Sequence, residues 1–220
     1  MRLKHYGSGN HSQELLIFLP GIGDELEDYE LRGFIDAAQR SAVPFDITVA
    51  DMHLGYYITR TAIQRLREDV IVPARANGYK RISLAGISLG GFGALYYALH
   101  HPADVARLFL LAPYLGDERV IGEISRAGGA KDWNPDSITE HDEPHKLWQS
   151  LKRLANEASG LGLANFYLAY GLQDNFAAGN NLLAELLPAG HVYTVHGKHD
   201  WRTWSSLWNM LLAQSKDIFS

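Results

Sequence analysis

Residues 81–99 read RISLAGISLGGFGALYYAL. An apolar run of strand character, Ile82 to Ala85, stops at Gly86, presents Ser88, and resumes as a small-residue helical pattern from Leu89 to Leu99. The centre, Gly86-Ile87-Ser88-Leu89-Gly90, is therefore G-x-S-x-G placed between a strand and a helix. A turn of this kind forces the serine backbone into a strained conformation and brings the helix start against the strand, so the flanking positions cannot carry large side chains. Gly86 and Gly90 meet that demand, and Gly91 extends it. Glycine and serine are common enough for the pentapeptide to arise by chance, so its flanks and the rest of the chain have to support the reading.

Outward from the elbow, strand and helix patterns alternate. Upstream, Glu14 to Leu19 reads as a buried strand, followed by the turn Pro20-Gly21-Ile22-Gly23-Asp24 and a helical pattern from Tyr29 to Arg40. Phe45 to Ala50 is a second β-rich run ending at Asp51. Apolar positions from Ile58 to Ala74 suit a long amphipathic helix between Tyr57 and Asn77, with Pro73 as a bend or stop and Gly78 as its terminator. Downstream, the elbow helix closes near His100 and Val105 to Ala112 supplies another strand. Residues 113–163 change character, with glycine pairs, Trp133-Asn134-Pro135 and a polar run from Glu140 to His145. They read as an insertion or lid with helical pieces at Asp117 to Arg126 and His145 to Glu157. Asn165 to Tyr170, Phe176 to Leu187, His191 to Val195 and Trp204 to Ala213 complete a strand, helix, strand, helix series. The expected fold is α/β, a mainly parallel central sheet with helices on both faces, in one domain over residues 1–220. Chemistry in such sheets gathers at the carboxyl ends of the strands.

A serine hydroxyl needs a base to take its proton, and the base needs a third group to fix its tautomer and stabilise its charged form. Asp174 follows one strand, in Tyr170-Gly171-Leu172-Gln173-Asp174, and His199 follows the next, in His196-Gly197-Lys198-His199-Asp200-Trp201. Serine, aspartate, histidine is the chain order that accompanies this elbow. Asp117, in PYLGDE after the strand ending at Ala112, is the rival acid, and His196 is the rival histidine. The anionic oxygen of an acyl-transfer intermediate needs two aimed N–H groups. The Leu89 N–H at the helix start is one candidate. The Ile22 N–H in the turn after the first core strand is the other, with Gly23 next.

These residues give the chain a resemblance to the α/β-hydrolases. The turn LPGIGD, the elbow GISLGG, the acid in GLQD and the histidine in GKHDW fall in that family's order across Leu15 to Leu212. His199-Asp200-Trp201 is similar to the G-x-H-x-W ending of the carboxylesterase branch that includes esterase D-like and feruloyl-esterase-like proteins. The resemblance implies hydrolysis of a small carboxylic ester through an acyl-enzyme; a thioesterase or acyltransferase would use the same three residues. There are two departures: Pro20-Gly21 stands where the family usually has His-Gly, and the N-terminus is short, with at most a brief strand near Arg2 to Tyr6. One or both of the family's first antiparallel strands are therefore expected to be missing.

Composition excludes other classes. A chain of 220 residues with 46% hydrophobic side chains can bury a substantial core. Its net charge of −5, with both signs interspersed, lacks the basic stripe of a nucleic-acid binder. Cysteine is absent, which removes disulfides, thiolate metal sites and a cysteine nucleophile. The first residues hold no apolar run long enough for secretion or membrane insertion, so the cytoplasm is the expected compartment. His141, Asp142, Glu143 and His145 cluster without the H-E-x-x-H spacing, and read as a solvated lid segment rather than a metal site; no metal or other cofactor is expected. Tyr56, Tyr57, Tyr114 and Trp201 are candidate walls of a substrate pocket. The competing class is a non-hydrolytic lyase or a binding protein on the same fold.

Overall fold

A computed structural model describes residues 1–7, 12–41, 45–135, 137–156 and 163–214. Seven strands form one sheet: β1 (Leu3–Tyr6), β2 (Glu14–Leu19), β3 (Asp46–Ala50), β4 (Arg81–Ile87), β5 (Arg107–Leu111), β6 (Phe166–Gly171) and β7 (Val192–Val195). Their spatial order is β1-β3-β2-β4-β5-β6-β7. β2 to β7 are parallel, and β1 alone runs antiparallel, against β3 with Leu3 opposite Ala50. Of the family's first antiparallel strands, one is thus present, at the position expected near Arg2 to Tyr6. β2 and β4 are apolar along nearly their whole length and buried on both faces, as strands covered by helices on either side must be.

The helices follow in chain order as α1 (Asp28–Leu31), α2 (Phe34–Gln39), α3 (Leu54–Ile58), α4 (Ala62–Leu66), α5 (Val72–Ala76), α6 (Leu89–His100), α7 (Glu118–Arg126), α8 (Glu143–Ala155), α9 (Ala177–Ala184) and α10 (Trp201–Ala213). α2 and α10 pack together on one face of the sheet, and α4, α6 and α8 on the other. The first face is cemented by aromatic rings. Phe18 of β2 lies edge-on to Phe34 and Trp208, and Phe34 and Trp208 stack at 5.9 Å.

Two helices expected to be continuous are broken. The pattern from Tyr29 to Arg40 divides at Gly33, whose φ of 78° lies in the left-handed region and resets the chain direction between α1 and α2. The pattern from Tyr57 to Asn77 divides at Arg60, whose φ is 56°, and restarts at α4. Pro73 then does not end the helix, which runs on to Ala76. The chain widens into a π turn at Arg67–Ile71, where the Val72 N–H reaches back to the Arg67 carbonyl, and α5 follows directly. Proline lacks the N–H that an α-turn requires and its ring crowds the carbonyl four residues back; a wide turn just before it relieves that crowding. Gly78, at φ 96°, stops the helix as expected.

Candidate active site

The elbow is built by contact between β4 and the start of α6. A Cβ on Gly86 would lie 2.3 Å from the Gly90 carbonyl oxygen, and one on Gly90 would lie 2.0 Å from that of Leu19, so both positions admit hydrogen alone. Between them Ser88 sits at φ 52° and ψ −117°, a backbone conformation that costs a non-glycine residue energy. Its surroundings impose that conformation. The Ser88 N–H donates to the Leu111 carbonyl at 3.0 Å, and the Ser88 carbonyl accepts from the N–H groups of Phe92 and Tyr114 at 3.1 and 3.0 Å. The end of β5 thereby grips the serine from the neighbouring strand.

The loop after β7 is held as tightly. The Gln173 N–H donates to the Gly197 carbonyl, tying it to the loop after β6. The Lys198 N–H donates to Thr203 Oγ1, and Asp200 caps α10 by accepting from the Thr203 N–H at 2.8 Å. His199 projects from this loop toward the serine: its Nε2 lies 3.0 Å from Ser88 Oγ, and its Nδ1 lies 2.8 Å from Asp174 Oδ2. The Asp174 side chain is fully buried, and its other oxygen accepts from the Phe176 N–H at 2.8 Å. The imidazole is clasped between Phe176 and Trp204, each presenting an edge-to-face ring at 4.9 Å. Carboxylate, imidazole and hydroxyl thus form one hydrogen-bonded row across the ends of β6, β7 and β4.

The rivals lie elsewhere. Asp117 caps α7, accepting from the Val120 N–H at 3.0 Å, and His196 is exposed. His145 is buried, with Nε2 3.2 Å from Glu123 and Nδ1 2.6 Å from Asp142, and stacks on Trp133. It ties α7 to α8. Among the described residues no group of three histidine, aspartate or glutamate side chains is placed to hold a metal.

Above the serine, the Leu89 N–H belongs to the first turn of α6 and has no partner within the helix. The turn after β2 comes close to it, since a Cβ on Gly21 would lie 3.4 Å from that of Ser88. Asp24 closes this turn: its N–H donates to the Gly21 carbonyl, and its Oδ2 accepts from the Gly21 N–H at 3.1 Å. The Gly21 amide is therefore occupied. Gly23, at φ 82°, has the value required at the third position of a type II turn, and the two amides inside the turn, those of Ile22 and Gly23, take no part in the bonds that close it. The other Asp24 oxygen accepts from the Trp201 indole N–H at 3.2 Å. Burial pushes the Asp24 carboxyl up, against the opposing pull of the Trp201 bond and of His199 nearby. Asp24 was not singled out by motif; the only signal is an aspartate three residues after Gly21, spaced to close its own turn.

A cavity of about 350 Å³ opens beside Leu89, walled by Tyr57, Phe92, Tyr96 and Tyr114, with Arg60 and Glu143 among its other lining residues. Two of the four expected wall residues, Tyr57 and Tyr114, stand in it. The Tyr57 hydroxyl donates to the Leu89 carbonyl at 3.1 Å, and burial pushes its pKa up. Tyr56 does not line the cavity; it packs on His53. Trp201 also lies elsewhere, edge-on to Tyr29 and Phe34, because its indole N–H is drawn to Asp24. Phe92 and Tyr96, stacked at 5.5 Å, were masked in the sequence by the regular apolar pattern of α6.

A serine elbow on the fourth strand of a mainly parallel, helix-covered sheet, with acid and histidine beyond later strands, defines the α/β-hydrolase fold. Solved structures agree: Est1E from Butyrivibrio proteoclasticus superposes with a TM-score of 0.66 at 14% identity, covering 99% of this chain and 93% of that one. A ferulic acid esterase gives 0.64 at 17%, covering 94% and 85%. The S-formylglutathione hydrolase FrmB from Staphylococcus aureus gives 0.59 at 18%, covering 91% and 80%. No curated protein matches the sequence. The Esterase family model matches residues 69–214, more than half of the chain, and the chain belongs to that family of carboxylic ester hydrolases. Among the described residues no helix is long and apolar enough to cross a membrane.

Proposed function

We propose that the protein is a serine esterase that cleaves a small carboxylic ester through an acyl-enzyme, with Ser88 as nucleophile, His199 as base and acid, and Asp174 as the group that orients the histidine. The observation supporting this reading is the unbroken row Asp174 Oδ2, His199 Nδ1, His199 Nε2, Ser88 Oγ, at 2.8 and 3.0 Å, ending on a serine in a strained elbow.

Asp174 holds the Nδ1 proton, which leaves Nε2 as the acceptor facing the serine. As Ser88 Oγ attacks the ester carbonyl, its proton passes to Nε2, and the charge on the imidazolium is balanced by the buried carboxylate. The same proton then leaves with the alcohol. Water, deprotonated by Nε2, attacks the acyl-enzyme, and the proton returns to Ser88 Oγ as the acid departs. The Leu89 and Ile22 N–H groups receive the anionic oxygen of both intermediates; a donor of this kind contributes about 10²–10³ in kcat. The cavity beside Leu89 receives one side of the ester.

The test is reaction with a fluorophosphonate probe and hydrolysis of p-nitrophenyl acyl esters. The wild-type protein is expected to do both. Ser88→Ala is expected to do neither while keeping its circular dichroism spectrum and thermal transition. Labelling that survives in Ser88→Ala overturns the assignment.

A further inference from the structure

The turn that bears the Ile22 amide is closed by a backbone bond from Asp24 to Gly21 and tied to the rest of the molecule through the Asp24 side chain, and that side chain is shared. One carboxylate oxygen takes the Gly21 N–H at 3.1 Å; the other takes the Trp201 indole N–H at 3.2 Å, from a residue 177 positions away that opens the helix two places after His199. Gly21 lies close to both this carboxylate and the serine: a Cβ placed on it would meet Asp24 Oδ2 at 2.7 Å and Ser88 Cβ at 3.4 Å. Carboxylate, glycine and serine are thus close neighbours, with no space for a side chain at position 21. Both partners of Asp24 are donors, so the position calls for a group that accepts at two oxygens and donates at none. An asparagine would turn its NH₂ toward one of the two N–H groups and lose that bond.

We infer that Asp24 is a positioning residue for the oxyanion hole, and that through Trp201 it locks the donor turn to the helix start that carries the histidine loop. This rests on the serine-esterase reading of the site. With both bonds made, the Ile22 amide and the imidazole keep a fixed spacing over Ser88. With either lost, the turn rotates about Gly21 and Gly23, whose backbones offer little resistance. The consequence falls on the transition state, because the donor meets its full charge only there.

The experiment measures kcat and KM for a p-nitrophenyl ester, per site titrated with the fluorophosphonate, in Asp24→Asn, Asp24→Ala and Trp201→Phe. Inhibition by a trifluoromethyl ketone, which forms a tetrahedral adduct with the serine, is measured alongside. Expected is a fall in kcat of about 10-fold or more for both Asp24 variants, with KM within about 2-fold and a parallel loss of ketone affinity. Trp201→Phe, which keeps the ring but removes the donor, is expected to move kcat the same way by less. Should Asp24→Ala not fold, Asp24→Asn and Trp201→Phe decide the matter. Unchanged kcat per titrated site, or a fall in thermal stability with kcat and ketone affinity intact, overturns the inference. A wild-type protein that neither hydrolyses esters nor reacts with the probe is a different result: it removes the serine-esterase reading, and this inference with it.

Discussion

Ser88 is held at φ 52° by three backbone hydrogen bonds, so part of the folding free energy is spent keeping one residue in a conformation that L-amino acids avoid. Such strain amounts to about 1–3 kcal/mol, whereas a glycine there adds roughly 0.5–1 kcal/mol of unfolded-state entropy. Ser88→Gly is therefore expected to be catalytically dead yet more stable than wild type by up to about 1–2 kcal/mol, read from urea unfolding midpoints at unchanged slope. A lower midpoint would show that the hydroxyl contributes more than the strain costs. The serine, Asp174 and His199 were legible in the sequence because each sits at a strand end in a short glycine-bearing turn. Asp24 was not, since half its meaning depends on Trp201, and no local pattern links residues that far apart. Trp201 shows the same limit: an aromatic beside the histidine suggests a pocket wall, and only the folded chain shows its indole N–H on the distant acceptor Asp24.

At the scale of elements, the strands were nearly all readable, because continuous burial leaves a continuous apolar run. The helices were less so. A π turn before Pro73 and a left-handed glycine at position 33 leave the apolar spacing almost intact, so the pattern reads through breaks that the backbone makes. The pair α7 and α8 makes its own prediction. The Trp133 indole N–H, given to Glu123 at 2.7 Å, holds that carboxyl below the usual range against partial burial, with His145 helping. At Asp142 burial pushes upward, but the side-chain and backbone bonds from His145 outweigh it and hold the pKa down. Carboxyls depressed in the folded state contribute stability that is complete above their unfolded pKa and is lost as pH falls through the folded one, here below about pH 4. Glu123→Gln should lower the melting temperature at pH 6 yet lose less between pH 6 and pH 3 than wild type does, followed by near-ultraviolet circular dichroism. An identical drop in both proteins would remove Glu123 from the acid response.

Over the whole molecule, the aromatic wedge between sheet and α10 matters most for stability. Trp208 is 1% exposed, stacks on Phe34, meets Phe18 and Phe109 edge-on, and donates its indole N–H to the Phe34 carbonyl. Trp208→Ala is expected to cost about 3–5 kcal/mol in denaturant unfolding, with labelling of Ser88 intact in the fraction that stays folded. A cost under about 1 kcal/mol would mean that α10 is held chiefly by its capped first turn.

The bond between His199 and Ser88 joins residues 111 positions apart, and the strands beneath them are separated by two others that must already be in register. None of this can form early from local contacts, and the closure of long loops between parallel strands is slow. Reactivity toward a covalent probe should therefore appear last during refolding, after secondary structure and after the burial of Trp208. Every labelled molecule will have completed its topology, so the probe counts finished chains and leaves collapsed intermediates dark.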